Sequence, residues 1–447
     1  MKILIISTNT LPAAPSGPAY IAGALRQAGH QVEIYECLFS NNLHRELAYR
    51  LSQFQPEVVG VSIRLVHGDV QDPAAPFGTR YLDLRPRVKE VVEITRQASS
   101  AKIILGGPGF NYYAREWLEY LALPIGVRGE GEVAFPLLLQ ALANGTGFAS
   151  LPGCVTLQYG CYTDTNPTRV TCLDAQGLPA YDLCDWEEYA SRGITPALFT
   201  KRGCAFGCTF CPYGKLEGKQ YRLKSPERVL DEIVHTLKHT PNRRIMFCDN
   251  SFNVPKTHAE KICQAILSRK IELEWGTGDI KPLGLDDSFC RMMRASGCFY
   301  VNLAVESACD GMLSRMKRGY TARQVRASLE CLSRSGIPFG ASLLFGAPGE
   351  TPETIAETLS LLDEYHIPLG VWVTIGVYLW TEYQDIVNEA RRDGLPAECE
   401  SLFDGAVYLS PALSPNFLVE LVSHLRAKPG YTVQVNRSDR LSALCSP

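Results

Sequence analysis

Arg202-Gly-Cys204-Ala-Phe-Gly-Cys208-Thr-Phe-Cys211-Pro212 is the stretch on which the reading of this chain turns. It follows a short apolar run, 197–201, that reads as a strand. A helical pattern starts at Pro226, with Ser225 as its N-cap and proline at the first helical position. Three thiols beside Gly203 and Gly207 do not fit one face of a helix or strand. A glycine-punctuated loop of this length can instead wrap three thiolates around one metal centre. Thiolate is a soft ligand suited to zinc or to iron–sulfur. A structural zinc normally closes with four protein ligands, and His235 and Cys248 fall on later elements. Three ligands on an iron–sulfur cubane leave one iron open for a substrate or cofactor; zinc is the alternative.

Working outward, the loop opens a series of strand and helix patterns. Strands are expected at 197–201, 244–248, 271–276, 300–305, 338–344 and 370–376. Helices are expected at 226–239, 257–268, 286–296, 321–335, 351–365 and 384–392. Six such repeats read as an incomplete barrel with an open side. Upstream, strands at 2–7, 31–36, 58–63, 102–105 and 125–127 alternate with helices at 19–28, 43–54, 87–97 and one ending near 142. Apolar strands between amphipathic helices imply a parallel sheet covered on both faces. Ligands bind such sheets beyond the strands' carboxyl ends, here at loops 8–17, 64–84, 106–112 and 128–132. The expected class is therefore α/β: an N-terminal Rossmann-like, flavodoxin-type sheet over 1–145, a linker with short hairpins over 146–194, a partial (β/α)6 barrel over 195–395, and a C-terminal cap over 396–447 with one amphipathic helix near 414–427.

Composition narrows the function classes. The chain has 447 residues, enough for more than one core. With 44 Lys plus Arg against 47 Asp plus Glu, the net charge of −3 offers no global field for nucleic acid or anionic lipid. The apolar run 367–380 is shorter than the roughly 20 residues a bilayer needs and contains Pro368. No membrane span and no nucleic-acid partner are expected, and the expected compartment is the cytoplasm. Sixteen cysteines in a chain this long do not suggest a secreted disulfide framework. Cys248, Cys263, Cys290, Cys298, Cys309 and Cys331 are expected to be buried, inert thiols.

At Cys204, Cys208 and Cys211, with Phe210 before the last, the chain resembles the radical SAM superfamily. The resemblance implies that these thiolates hold a [4Fe–4S] cluster whose open iron chelates S-adenosylmethionine (SAM) for reductive cleavage to a 5′-deoxyadenosyl radical. Further pieces resemble that family's motifs in order. They are Gln220-Tyr-Arg222-Leu-Lys-Ser-Pro226, Phe247-Cys-Asp249-Asn250, Ala304-Val-Glu306-Ser307, Leu313-Ser-Arg-Met316-Lys-Arg-Gly319-Tyr320 and Phe345-Gly346-Ala-Pro348-Gly349-Glu350-Thr351. They imply SAM contacts from Phe210, Arg222, Asp249, Glu306, Ser307, Gly346, Pro348 and Gly349. Ala304 stands where the family usually has glycine, which is tolerable if its φ is negative.

Residues 1–145 resemble the cobalamin-binding domain fused ahead of many radical SAM enzymes. The matching pieces are Pro15-Ser-Gly-Pro-Ala-Tyr20, Leu105-Gly106-Gly107-Pro108-Gly109-Phe110 and Val127-Arg128-Gly129-Glu130-Gly131-Glu132. They imply cobalamin contacts from Gly106, Gly107, Gly109, Phe110, Gly129, Glu130 and Glu132. The DxHxxG signature that supplies a histidine to cobalt is absent, and His67 stands in a different context, Arg64-Leu-Val-His67-Gly-Asp69, as a loop hydrogen-bonder. Gly60-Val-Ser-Ile-Arg64 resembles a branch in which the arginine faces the lower side of cobalt.

The whole chain thus resembles the class B, cobalamin-dependent radical SAM methyltransferases. The implied function is methylation, cyclisation or another rearrangement at an unactivated carbon of a small molecule, with an electron donor such as flavodoxin or ferredoxin. A methylthiotransferase-type radical SAM enzyme and a non-catalytic corrinoid sensor or carrier are the alternatives; the first needs three further N-terminal cysteines, where only Cys37 is found. Tyr378, Trp380, Tyr383 and Tyr408 fit aromatic core packing better than stacking on a flat substrate.

Overall fold

The computed structural model describes residues 1–380, 385–393 and 401–439. They form two compact units that interleave along the chain: Met1–Val66, Asp83–Lys201 and Arg222–Arg244 in the first, His67–Leu82, Arg202–Tyr221 and Ile245–Pro447 in the second.

The first unit is built on strands β1 (Lys2–Ser7), β2 (Gln31–Glu36), β3 (Val58–Ser62), β4 (Lys102–Gly106), β5 (Ile125–Val127), β6 (Cys154–Gln158) and β7 (Cys161–Asp164). The order is β2-β1-β3-β4-β5-β6-β7. The pairings from β2 through β5 are parallel, and β6 and β7 close the edge antiparallel. Both faces of β1 are buried, with Ile3, Leu4, Ile5 and Ile6 at 2% exposure or less. This is the burial a continuous apolar run requires in a covered parallel sheet. The expected flavodoxin-type order is thus present, and the hairpin expected in the linker extends the sheet.

The second unit carries β8 (Arg244–Phe247), β9 (Glu274–Ile280), β10 (Cys298–Glu306), β11 (Phe339–Phe345), β12 (Val371–Ile375) and β13 (Tyr431–Val435), side by side in chain order. All pairings from β9 to β13 are parallel. Its helices start where their caps direct. The helix Asp287–Ala295 is capped by Asp286, whose Oδ1 accepts from the Phe289 N–H at 2.8 Å. The helix Ala322–Ser335 has a Thr321–Gln324 capping box and ends at Gly336.

Two expectations are corrected here. The strand placed at 271–276 runs instead over Glu274–Ile280: Lys270 has φ 51° at the end of the preceding helix, and the chain needs the next residues to re-enter the sheet. The tail is also more than a cap. Its helix is at Pro415–Ala427, with Ser414 Oγ accepting from the Phe417 N–H at 3.2 Å. It then delivers β13, paired from Val371 with Tyr431 to Ile375 with Val435. The alternation in Tyr431-Thr-Val-Gln-Val435, with Val433 and Val435 buried, is the signal for that strand.

A buried charge network ties the helix Ser16–Gln27 to the helix Pro226–Leu237 within the first unit. Glu232, 1% exposed, accepts from Tyr20 Oη at 2.7 Å, Lys224 Nζ at 2.5 Å and Arg228 Nε at 2.9 Å. Removing one member strands the other buried charges. Glu232→Ala is expected to destabilise the first unit by about 3–5 kcal/mol. Removing the exposed Lys317–Asp385 pair by Lys317→Ala is expected to cost less than about 1 kcal/mol. Urea denaturation followed by tryptophan fluorescence distinguishes the two.

Candidate active site

The cysteine loop lies in the second unit, and it is braced on both sides. Before Cys204, Gly203 has φ 90°, and a Cβ there would stand 2.1 Å from the Gln220 carbonyl oxygen, so only glycine fits. Glu217 Oε2 accepts from the Gly203 N–H at 2.9 Å and from Asn250 Nδ2 at 2.8 Å, which ties the loop to the end of β8. The Cys204 N–H donates to the Gly218 carbonyl at 2.9 Å, and the Thr209 N–H to that of Met316 at 3.2 Å. Cys204 is buried, while Cys208 and Cys211 are half-buried. Burial raises the Cys204 thiol and pushes Cys211 up to about 12, with the Cys208 and Cys204 charges adding to the latter.

Cations offset that cost. Arg318 is 2% exposed, and its Nη1 donates to the Cys208 sulfur at 3.1 Å. Lys281, 5% exposed and just past β9, lies 3.1 Å from Asp279 Oδ1 and 5.8 Å from the Phe206 ring centroid. Its charge acts on Cys204 and Cys211, favouring the thiolates. Among the described residues no three His, Cys, Asp or Glu side chains are grouped closely enough for a single metal ion. A structural zinc normally closes with four protein ligands, so three thiols on one loop under positive charge suit a cubane with one open iron better than a mononuclear zinc.

The same unit places Glu306 at the end of β10. The ladder to β11 shifts register between Ala304 and Glu306, a β-bulge, and Glu306 has φ 59°. Such a conformation costs roughly 1–2 kcal/mol for a non-glycine residue and persists only where the surroundings impose it. Here they do. Tyr320 Oη donates to the Ala304 and Val305 carbonyls at 2.6 and 3.1 Å. Arg318 Nη2 donates to the Ala304 carbonyl at 3.2 Å and to Glu306 Oε1 at 3.3 Å. The bulge re-aims the Glu306 carboxyl. Burial raises that carboxyl, against the pull of Arg318 and Lys281. Ala304 itself is not among the positive-φ residues, so the alanine is accommodated.

The other expected SAM residues divide. Phe210 lies under the Arg318 guanidinium, 5.5 Å from the ring centroid. Asp249 is 3% exposed beyond β8. Gly346, Pro348 and Gly349 form the turn after β11; a Cβ on Gly346 would meet the Leu409 side chain at 2.5 Å. Ser307 is turned inward: its Oγ pairs with Thr358 Oγ1 at 3.0 Å and accepts from the Cys309 N–H at 3.1 Å. Arg222 belongs to the first unit, where it forms a forked ion pair with Glu130 at 2.5 and 2.8 Å and also donates to the Val170 carbonyl. Two residues expected at different cofactors are thus partners of each other.

In the first unit, Gly106, Gly107 and Gly109 lie at the carboxyl end of β4 beside that of β3. Gly107 has φ 96°, and a Cβ there would stand 2.5 Å from the Ile63 carbonyl. Phe110 is fully buried, with its ring packed on Gly126, so at this loop it presents backbone. Gly129 approaches Thr168 just as closely, and Glu132 is half-buried. Arg64 is exposed.

His67 falls in the second unit. Tyr81 Oη donates to its Nδ1 at 2.6 Å and its Nε2 donates to the Phe403 carbonyl at 2.8 Å. Both nitrogens are engaged in hydrogen bonds as expected, but His67 is not in a loop: it is buried and opens the strand His67–Gln71, which pairs with Thr79–Asp83. Tyr378 and Tyr408 are buried with their hydroxyls on Asp69 and Asp393, and Trp380 packs on Tyr378. Tyr383 lies outside the described residues. Every described cysteine carries a free thiol. Of the six expected inert ones, Cys248 is exposed and the others are buried.

Comparison with known proteins bears on these two sites. Residues 198–362 match the Radical SAM superfamily model, and residues 3–139 match the B12 binding domain model. An uncharacterized methyltransferase of Pyrococcus horikoshii is 25% identical over 380 residues, covering 82% of this chain and 79% of that one. An anaerobic magnesium-protoporphyrin IX monomethyl ester cyclase of Rubrivivax gelatinosus is 23% identical, covering 84% of this chain and 66% of the cyclase. Among solved structures, the radical S-adenosylmethionine methyltransferase TsrM of Kitasatospora setae superposes with a TM-score of 0.81 at 21% identity, covering 98% of this chain and 92% of TsrM. The protein is a radical SAM enzyme. More particularly, it belongs with those that carry a B12-binding domain ahead of the radical SAM domain.

A further buried carboxyl adjoins the turn after β11. Glu350 is fully buried; Oε1 accepts from Thr354 Oγ1 at 2.6 Å, and Oε2 has no partner among the described residues. Burial raises it from 4.5 to about 7. The folded state therefore holds this proton more tightly than the unfolded chain. The contribution to stability is full below about pH 4.5 and is lost as pH rises through about 7, a swing of about 3 kcal/mol. Glu350→Gln is expected to flatten that part of the stability–pH profile and to raise the melting temperature at pH 8 relative to wild type.

Proposed function

We propose that the protein transfers a methyl group to an unactivated carbon of a small molecule, using SAM, a [4Fe–4S] cluster and cobalamin. The observation that carries this reading is the cysteine loop under two buried cations, beside a bulged glutamate, in a chain that also carries a B12-binding domain. Cys204, Cys208 and Cys211 would hold the cluster. Bound there with cobalamin, the cofactors supply reductive cleavage of the sulfonium and methyl transfer.

This chain's own residues bind and orient. Glu306 offers a carboxylate to the ammonium or ribose hydroxyls of SAM, with Arg318 fixing its position. Phe210 and the turn through Gly346, Pro348 and Gly349 form a surface for the adenine. Asp249 offers a further acceptor. Gly106, Gly107, Gly109 and Gly129 would let backbone approach the corrin and its nucleotide tail closely, and Arg64, exposed after β3, would face the cobalamin. Glu130 and Arg222 act through their ion pair, setting the loops that bear them. Phe110 supports the first unit's glycine-rich turns by packing on Gly126, and Ser307 holds the turn after β10 through Thr358 and the Cys309 N–H. The substrate is a small molecule, as tryptophan is for TsrM; ring closure is the second outcome, favoured by the cyclase relative. The free thiols suit the cytoplasm, and a flavodoxin or ferredoxin suits the electron supply.

Anaerobic reconstitution tests this. The wild-type chain is expected to take up iron, sulfide and cobalamin and, with a reductant, to consume SAM. Cys208→Ala is expected to lose the cluster and at least about 1,000-fold of SAM turnover, the scale of losing an essential catalytic group, while retaining cobalamin. Iron uptake without cobalamin uptake would overturn the methyl-transfer reading.

A further inference from the structure

Arg318 donates directly to a sulfur of the cysteine loop, from Nη1 to Cys208 at 3.1 Å. Its other contacts explain why it is held there. Nε donates to Tyr320 Oη at 2.8 Å, Nη2 to the Ala304 carbonyl at 3.2 Å and to Glu306 Oε1 at 3.3 Å. The guanidinium plane also lies over Phe210 and Tyr320, 5.5 and 5.2 Å from the ring centroids. With all three nitrogens engaged, the fork has little freedom to turn away from Cys208. A charge-assisted bond in a dry environment is stronger than its counterpart in water.

We propose that Arg318 is a positioning residue that poises the cluster, its Nη1 holding the Cys208 sulfur and its charge stabilising the added electron. The inference rests on the proposed function. A cluster on three thiolates becomes more negative by one charge when reduced. A buried cation in contact with a ligand sulfur favours the reduced form, and hydrogen bonds to sulfur are among the determinants of iron–sulfur potentials. Arg318 thus makes the electron easier to accept, and does so through Cys208 rather than through Glu306. Lysine cannot reproduce the role, because its single ammonium cannot serve the sulfur, the carbonyl and the carboxylate in one plane.

The test is the midpoint potential of the reconstituted cluster in the full-length protein, read by EPR-monitored titration without SAM, so that substrate binding does not enter. Wild type is expected to have the highest potential, Arg318→Lys a more negative one, and Arg318→Gln the most negative. Glu306→Gln, which removes a negative charge nearby, is expected to show no negative shift. Tyr320→Phe removes the brace on the Ala304 and Val305 carbonyls and the partner of Arg318 Nε, but no charge; it is expected to move the midpoint clearly less than Arg318→Gln does. A cluster-bearing Arg318→Gln with the wild-type midpoint would overturn the proposal. So would a Tyr320→Phe shift as large as that of Arg318→Gln, which would mark a purely structural role. If Arg318→Gln does not retain iron, Arg318→Lys decides, and a wild-type midpoint there overturns the proposal. A wild-type chain that binds no iron would instead overturn the proposed function, and this inference with it.

Discussion

A guanidinium with 2% exposure exists only where its partners are assembled around it. For Arg318 these are the Cys208 sulfur, the Glu306 carboxyl, the Ala304 carbonyl and the Tyr320 hydroxyl. They come from the cysteine loop, the end of β10 and the segment after the helix Asp310–Arg315. Each is itself poorly placed alone: the thiols are partly desolvated, Glu306 has a left-handed backbone, and the bulge frees carbonyls from the ladder. The cation satisfies all three at once. Cysteine loop, bulge and turn are therefore one structural decision.

Both units reach their sites by the same geometry. A parallel strand that ends in a turn before a helix leaves backbone groups unpaired at its carboxyl end. Glycine at that point lets the turn close tightly, as at Gly107, where the neighbouring Ile63 carbonyl leaves no room for a Cβ. The glycine-rich segments and the cysteine loop accordingly lie at strand ends. The buried Glu232 network supports the first unit in a different way, by joining helices more than 200 residues apart in sequence through buried charges that meet on one carboxylate.

Much of this was legible before any coordinates. β1, β2 and β5 begin and end where their apolar runs do. Ser225 caps its helix as its residue type suggests, with Oγ accepting from the Arg228 N–H. What stayed hidden was pairing. Glu130 and Arg222 each read as cofactor-binding residues because their segments resemble the motifs of two different domains, yet their charges meet across 92 residues. Phe110 read as part of a loop, but a fully buried aromatic ring gains more from the core than from a ligand edge. Arg318 and Lys281 carried no signal of their own: a basic residue in a turn is ordinarily solvated, and only the contact with Cys208 or the proximity of Lys281 to the loop gives either a role.

The linear chain by itself determined the local choices: strands and helices from periodicity, helix starts from caps, and the metal chemistry from three thiols spaced along one short loop. Those properties depend on neighbours a few residues away, so they survive without a fold. Which charges face each other, where β13 joins the sheet and how Glu306 is turned were decided only by tertiary structure. These depend on burial, since a charge or a strained backbone is tolerated inside a protein only when distant residues converge to compensate it.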